Sequence, residues 1–183
     1  MDFVAGLDPT RDPFGAFQHF IEARGGKGFL YGFGTSRKEF RENAPHAVPF
    51  LHHTYSREWE TIGSGQLLED DATVDSMLAG MVIPLEWNPS DSALFGSQMT
   101  PAQRALWDAE QDIGLINGVT IPLSVGTGFS GLGFHHDSTG DNHNFRKDWD
   151  RYGKEIIKAA HALDDLIRIQ NPNSIIKLTP REI

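Results

Sequence analysis

Residues 118–136 read GVTIPLSVGTGFSGLGFHH, and the pattern of this stretch decides the fold. Apolar side chains at Val119, Ile121 and Leu123 alternate with other residues, which predicts a half-buried strand because neighbouring side chains of a strand point to opposite faces. The glycine-rich segment 126–128 predicts a turn, after which residues 130–136 return as a second strand. The stretch therefore predicts an antiparallel hairpin.

Helical patterns lie on both sides of this hairpin along the chain. Asp12-Pro13 predicts the start of a first helix, and Thr100 with Gln103 has the spacing of a capping box at the start of another. A long helix with an apolar stripe is predicted over residues 144–169. Shorter strands are predicted over residues 28–33, 48–55 and 82–85. The sequence thus predicts an α+β domain, an α-β-α sandwich with helices on both faces of one antiparallel sheet.

The composition is that of one globular domain. The 183 residues are 39% apolar, and 16 basic against 25 acidic residues give a net charge of -9, whereas a free-standing nucleic-acid binder is more often basic. The absence of cysteine excludes disulfides and thiolate metal sites. No secretory leader and no run of roughly 18 apolar residues is present, so we expect a cytoplasmic protein with no membrane partner.

Two short motifs are typical of dinucleotide and metal sites, but their positions in this sequence do not support such sites. Residues 126–131 match G-x-G-x-x-G, but a dinucleotide site needs this loop to open a helix, and here it opens a strand. The pairs His52-His53 and His135-His136 lie on strands, where adjacent side chains face opposite ways and do not ligate one ion together. We expect hydrogen-bonded or solvated surface histidines, no metal, no cofactor and no enzyme activity.

The aromatic residues are more informative. Tyr55 and Trp59 are four residues apart and share one face if they lie on a helix. Their O–H and N–H groups need partners when buried, so the pair is suited to orient a polar ligand head in an apolar pocket. Trp87, Trp107 and Phe134 would supply apolar walls. The alternative, plain core packing of these rings, stays open at this point.

The sequence resembles the autoinducer-binding domain of LuxR-type quorum-sensing transcriptional regulators over most of its length. The stretches that carry the resemblance are Thr54-Tyr55-Ser56-Arg57-Glu58-Trp59, Pro84-Leu85-Glu86-Trp87, the helix from Leu106 to Ile113, and Gly118-Val119-Thr120-Ile121-Pro122-Leu123. Residues 178–182, LTPRE, resemble the opening of the family's helix-turn-helix. The resemblance implies an autoinducer-binding domain over residues 1–170, with a linker and the start of a truncated helix-turn-helix domain over residues 171–183.

For the fold, the resemblance implies a five-stranded antiparallel sheet with a ligand between the sheet and one helical layer. The usual ligand is an N-acyl homoserine lactone. Trp59 matches the family's donor to the lactone carbonyl, and Tyr55 matches the donor to the acyl carbonyl. Trp87 matches a tryptophan that lines the cavity, and Thr120 lies on the strand beside the head group.

The chain departs from the family pattern at several positions of the site. Ala72 stands where the family has an aspartate that accepts the ligand amide, and Asp71 is one residue early. Asp71 either replaces that acceptor or caps the following helix. Gly63 replaces a tyrosine, and Phe134 stands where a small hydroxyl residue is common and is expected to narrow the cavity. An unpaired ligand amide would weaken binding roughly ten- to hundredfold.

Two functions follow from these observations. The first is a ligand-sensing module that forms a homodimer through the helix at 144–169 and reaches DNA only through the absent C-terminal domain. The second is an orphan regulator or anti-activator that dimerises without binding an acyl homoserine lactone.

Overall fold

A computed structural model describes residues 12–34, 50–63, 70–88, 99–123, 129–138 and 142–170. Over these ranges the chain forms a five-stranded antiparallel sheet with helices on both faces, which confirms the predicted α+β sandwich. The predicted turn at 126–128 and the predicted linker and helix-turn-helix start at 171–183 lie outside the described residues. No helix of the described ranges is long and apolar enough to cross a membrane.

The helices and strands alternate irregularly along the chain. The strands are β1 (Gly26–Gly34), β2 (Phe50–His53), β3 (Leu85–Trp87), β4 (Gly118–Pro122) and β5 (Phe129–His136). The helices are α1 (Pro13–Glu22), α2 (Arg57–Gly63), α3 (Ala72–Leu78), α4 (Pro101–Asp112) and α5 (Asn142–Gln170). In space the strand order is β2-β1-β5-β4-β3.

One face of the sheet packs against α1 and α5. Side chains of this face are fully buried at Phe29 and Tyr31 on β1 and at Leu132 on β5, where they join Phe17 of α1 and Ile156 of α5 in one core. The opposite face is covered by α2, α3 and α4, so β4 is buried on both sides rather than half-buried as its alternation suggested. The sheet therefore separates a solid apolar core from a second, looser layer.

The predicted strand at 82–85 is wrong in its position. Val82 and Ile83 are 83% and 70% exposed, and pairing with β4 begins only at Leu85, opposite Thr120. Pro84 lies immediately before this first pair, and proline has no N–H to extend a ladder. β3 is consequently a short edge strand.

The apolar stripe of α5 is packed within the chain. Phe145, Ile156, Leu163 and Ile167 of the predicted stripe are nearly inaccessible because they lie in the core below the sheet. The apolar stripe is therefore part of the core and does not lie on the surface. A homodimer, if it uses this helix, must use its outer side, where Ile169 is 74% exposed.

Helix α4 begins at the predicted capping box. Thr100 Oγ1 accepts a hydrogen bond from the Gln103 backbone N–H at 3.2 Å, and Gln103 Oε1 accepts one from the Thr100 N–H at 2.9 Å. We expect Thr100→Ala to lower the free energy of unfolding by about 1 kcal/mol, measured by urea denaturation. Thr61→Ala, at an exposed position inside α2, is the matched control and is expected to cost less. Equal effects of the two variants would contradict a capping role.

Candidate functional site

A cavity lies between the second face of the sheet and the layer formed by α2, α3 and α4. Its volume is about 80 Å³, measured as the space open to the centre of a water-sized sphere. A single water needs roughly 10–15 Å³ on this measure, so the cavity admits a small molecule rather than one solvent molecule. Most of the wall is apolar, and its apolar members include Leu30, Leu51, Val74, Met77, Met99, Leu106 and Leu115.

Tyr55 and Trp59 form one wall of the cavity, but not in the way their spacing predicted. Tyr55 precedes α2, which begins at Arg57, so the two residues do not share a helical face. Their rings instead meet edge to face, with centroids 5.2 Å apart. Tyr55 Oη donates to the Gly133 carbonyl oxygen at 3.2 Å, and Trp59 Nε1 donates to Glu110 Oε1 at 3.2 Å. Both of these donors therefore already have partners inside the protein.

Trp87 and Thr120 line the cavity together. Trp87 Nε1 donates to Thr120 Oγ1 at 3.2 Å, which ties the edge strand β3 to β4. The indole packs directly against Gly118, where a Cβ would collide with the Trp87 ring and with the Phe134 carbonyl oxygen. Glycine at position 118 is thus required for Trp87 to lie on the sheet.

Of the two roles that the sequence left open for Asp71, the structure shows the helix cap. Asp71 is the N-cap of α3, and its Oδ1 accepts hydrogen bonds from the backbone N–H groups of Thr73 at 2.6 Å and Val74 at 3.3 Å. It also lines the cavity. Burial raises the pKa of Asp71 above its usual value, while the hydrogen bonds from Thr73 and Val74 act in the opposite direction. Its use as a ligand acceptor stays a prediction.

The prediction that Phe134 narrows the cavity is wrong. Phe134 pairs with Phe29 of β1 and Val119 of β4, and all three side chains belong to the core on the α1 and α5 face. The neighbouring Gly133 faces the cavity, opposite Leu30 and Thr120. A one-residue error in the register of a strand moves a side chain to the other face, and the assignment of Phe134 to the cavity contained such an error.

Glu110 is one of several cavity residues that sequence reasoning missed. It lies on α4, where Gln103, Leu106, Trp107 and Glu110 face the cavity at the three- and four-residue intervals of one helical stripe. That stripe was readable in the sequence, but a polar residue within it is easily taken for a solvated position. Burial, and the nearby Asp71 carboxylate, raise the pKa of Glu110 to about 8. Glu110 therefore carries a proton at neutral pH.

The charged side chains that line the cavity are all acidic. Three acidic residues, Asp70, Asp71 and Glu110, line it, whereas none of its lining residues is a lysine, an arginine or a histidine. Burial also raises the pKa of Tyr55, and the Glu110 and Asp71 carboxyls add to this effect. The cavity can accordingly accept hydrogen bonds from a ligand and disfavours an anionic one.

His135 and His136 are buried rather than lying on the surface as predicted. His135 and His136 are 5% and 4% exposed and point to opposite faces of β5. His135 Nε2 lies 3.0 Å from the Gly114 carbonyl oxygen, and burial lowers the His135 pKa to about 4, so the neutral ring donates this bond. His136 Nε2 lies 3.2 Å from Asp148 Oδ2. Within the described ranges, no three His, Cys, Asp or Glu residues are grouped to hold a metal.

Comparison with known proteins agrees with this architecture. The sequence model of the autoinducer binding domain matches residues 10–164. Curated protein sequences return no match. Two similar crystal structures are those of the N-acylhomoserine lactone-dependent LuxR-family factor CepR2 from Burkholderia cenocepacia (TM-score 0.63, 16% identity, 87% of this chain and 85% of that chain) and of Escherichia coli SdiA (TM-score 0.53, 14% identity, 94% and 69%). A structure of SdiA in complex with octanoyl-rac-glycerol aligns with TM-score 0.64, 13% identity and coverage of 97% and 68%.

At these low sequence identities, the similar structures support the fold alone. The assignment to a family rests on the match to the sequence model. It spans most of the chain, including every cavity residue named above. Members of this family bind autoinducer signals rather than cofactors and are regulatory domains, not enzymes. The chain belongs to the autoinducer-binding domain family of LuxR-type regulators.

Proposed function

We propose that this chain is the ligand-sensing part of a LuxR-type transcription factor and takes a small amphipathic signal into the cavity beside Tyr55 and Trp59. An N-acyl homoserine lactone or a related acylated signal is the first candidate. In the proposed arrangement, residues 1–170 form the sensing domain and homodimerise. Residues 171–183 lead into a DNA-binding helix-turn-helix, through which the ligand state is passed on.

The observation that carries the proposal is a cavity that is mostly apolar but has a compact polar group at one place. Trp59 is hydrogen-bonded to Glu110, its ring contacts Tyr55, and the Asp71 carboxyl is close enough to raise the pKa of Glu110. An apolar wall with a few convergent polar groups is the usual form of a small-molecule site. The apolar part suits an acyl chain and the polar group suits its head.

A second function, a regulator that needs no ligand, is favoured by the hydrogen bonds of the same residues. Tyr55, Trp59 and Trp87 all donate within the protein, so the empty cavity leaves none of these three donors without a partner. A ligand carbonyl must replace one of these bonds rather than satisfy a free donor, which gives little net gain. The alternative therefore predicts a stable fold with an empty site.

Thermal-shift measurement with a series of acyl homoserine lactones and 1-octanoyl glycerol separates the two functions. Any ligand that binds only the folded state raises the melting temperature as its concentration passes its Kd. Saturable stabilisation by at least one acylated compound supports sensing. A flat response to every compound, up to millimolar concentration, supports the ligand-independent module.

Filling the cavity tests whether such a response comes from this site. Gly133 lies on the cavity face, and a Cβ added there has only Tyr55 Oη, at 3.3 Å, as a close neighbour. We expect Gly133→Leu to abolish the ligand-induced shift and to leave the circular dichroism spectrum unchanged. Lys27→Leu, on the exposed side of β1, is the control and should keep the full shift. A response that survives in Gly133→Leu would place the ligand elsewhere.

A further inference from the structure

We infer that Met77 limits the length of the ligand's apolar tail, because its thioether closes the end of the cavity that lies away from the polar group. That group consists of Tyr55, Trp59, Asp71 and Glu110. The inference rests on the proposed sensing function and makes its signal a short-chain one, with a tail of about six carbons or fewer.

Two glycines of β5 mark where the cavity is open and where it is filled. Gly133 and Gly131 lie two residues apart, and both line the cavity. Above Gly133 the space is open, since the nearest atom to an added Cβ is Tyr55 Oη at 3.3 Å. Above Gly131 an added Cβ would collide with Sδ and Cε of Met77. The thioether therefore occupies the space that a longer tail would need.

Helix α3 follows the cavity from its polar group to Met77. Asp71, Val74 and Met77 line the cavity at three-residue intervals, so they lie along one side of the helix. The Asp71 carboxyl is close to the polar donors and acceptors, because it raises the pKa of Glu110 and of Tyr55. Met77 is six residues farther, about 9 Å along the helix axis. The polar group and the thioether thus lie at opposite ends of this stripe.

The strand gives an estimate of the tail that fits between these ends. The step from Gly133 to Gly131 spans about 7 Å, at about 3.4 Å per residue. An extended alkyl chain advances about 1.25 Å per C–C bond, so about six bonds cover the step. The cavity volume of about 80 Å³ is also small, equal to roughly five to eight water-sized positions. A tail of about six carbons therefore reaches Met77, and a longer one meets it.

Met77 is not free to move aside without cost. Its side chain is only 7% exposed, so it is packed among other groups as well as against Gly131. Methionine adapts its shape readily, but in a close-packed region its displacement disturbs the neighbouring side chains. Carbons beyond the sixth must displace the thioether or stay outside the cavity, and neither adds favourable burial.

The test measures, by calorimetry, the Kd of homoserine lactones that carry butanoyl, hexanoyl, octanoyl and decanoyl chains. Each CH2 group that enters an apolar site lowers the Kd about fourfold. For the wild type we expect this fall from butanoyl to hexanoyl, and no further fall beyond. Met77→Ala removes the thioether and is expected to move the optimum to the octanoyl compound, which should bind about tenfold more tightly than it does to the wild type.

A matched control and a milder variant complete the test. Leu78→Ala truncates an equally buried residue of α3 whose side chain, unlike that of Met77, is not part of the described cavity wall. This variant should lose stability as Met77→Ala does but keep the hexanoyl optimum. Met77→Val, which removes less of the side chain, should improve octanoyl binding by a smaller factor and serves if the alanine variant does not fold.

The outcomes separate the length limit from the sensing function. A Kd that keeps falling up to the decanoyl compound in the wild type would overturn the inference and leave sensing standing. The same holds for an optimum that stays at hexanoyl in the Met77 variants, or that moves equally in Leu78→Ala. The absence of binding by all four lactones, in the wild type and in the variants, would overturn both.

Discussion

Asp164→Ala is expected to lower the free energy of unfolding by about 3–5 kcal/mol, because it removes the centre of a buried polar network. Asp164 is 2% exposed and lies on α5 below the sheet. Its Oδ1 accepts from Tyr31 Oη at 2.7 Å, and its Oδ2 accepts from Arg168 Nε at 2.9 Å. Arg168 Nη2 in turn donates to Ser130 Oγ at 2.9 Å. Alanine would remove the carboxylate that accepts from both the Tyr31 phenol and the Arg168 guanidinium.

Equilibrium unfolding in urea measures this effect, and the neighbouring residue supplies the control. Asp165 is exposed on the same helix, so Asp165→Ala is expected to change the free energy of unfolding by no more than about 0.5 kcal/mol. Asp164→Asn retains one acceptor and should fall between the two. A cost below 1 kcal/mol for Asp164→Ala would mean that the helix is held to the sheet by apolar packing alone.

The elements of this fold were predictable wherever local chemistry sets them. The Thr100 capping box and the start of α1 at Pro13 follow from hydrogen bonding between residues close in sequence, and both appear as predicted. The β4 and β5 hairpin follows from alternation and a glycine-rich turn. The order of the strands does not, because β1 lies between β2 and β5 through contacts distant in the chain.

The cavity was less predictable, for reasons that differ from residue to residue. Phe134 was assigned to the wrong face because the resemblance fixes register only to within a residue, while a strand changes face at every residue. Glu110 was missed because its importance comes from Trp59 and Asp71, which lie far away in the sequence. Asp71 was predicted either as a ligand acceptor or as a cap, and the folded chain shows the cap and places the residue in the cavity wall.

Glu110 also links the cavity to the stability of the fold. A buried acid that keeps its proton is tolerated, whereas the same acid becomes a destabilising charge when it ionises. The unfolded chain releases the proton near pH 4.5 and the folded chain near pH 8. Between these values the folded state binds more protons than the unfolded state, so the contribution of Glu110 to stability falls as the pH rises.

Glu110→Gln is therefore expected to be more stable than the wild type, and increasingly so with rising pH. Glutamine accepts the Trp59 N–H as glutamate does but does not ionise. The Glu110 side chain faces the cavity, where solvent lowers the cost of its charge. We therefore expect the variant to gain only about 2 kcal/mol at pH 8 and almost nothing near pH 5. Urea denaturation at pH 5, 6, 7 and 8 measures the difference between variant and wild type at each pH.

Comparing the two proteins at each pH removes the contributions of other titrating groups. His135 acts in the opposite direction, since burial lowers its pKa to about 4 and its contribution to stability is lost as the pH falls from 6.5 towards 4. This term is common to both proteins and cancels in the difference. A constant difference for Glu110→Gln between pH 5 and 8 would show that Glu110 is ionised throughout and that burial does not hold a proton on it.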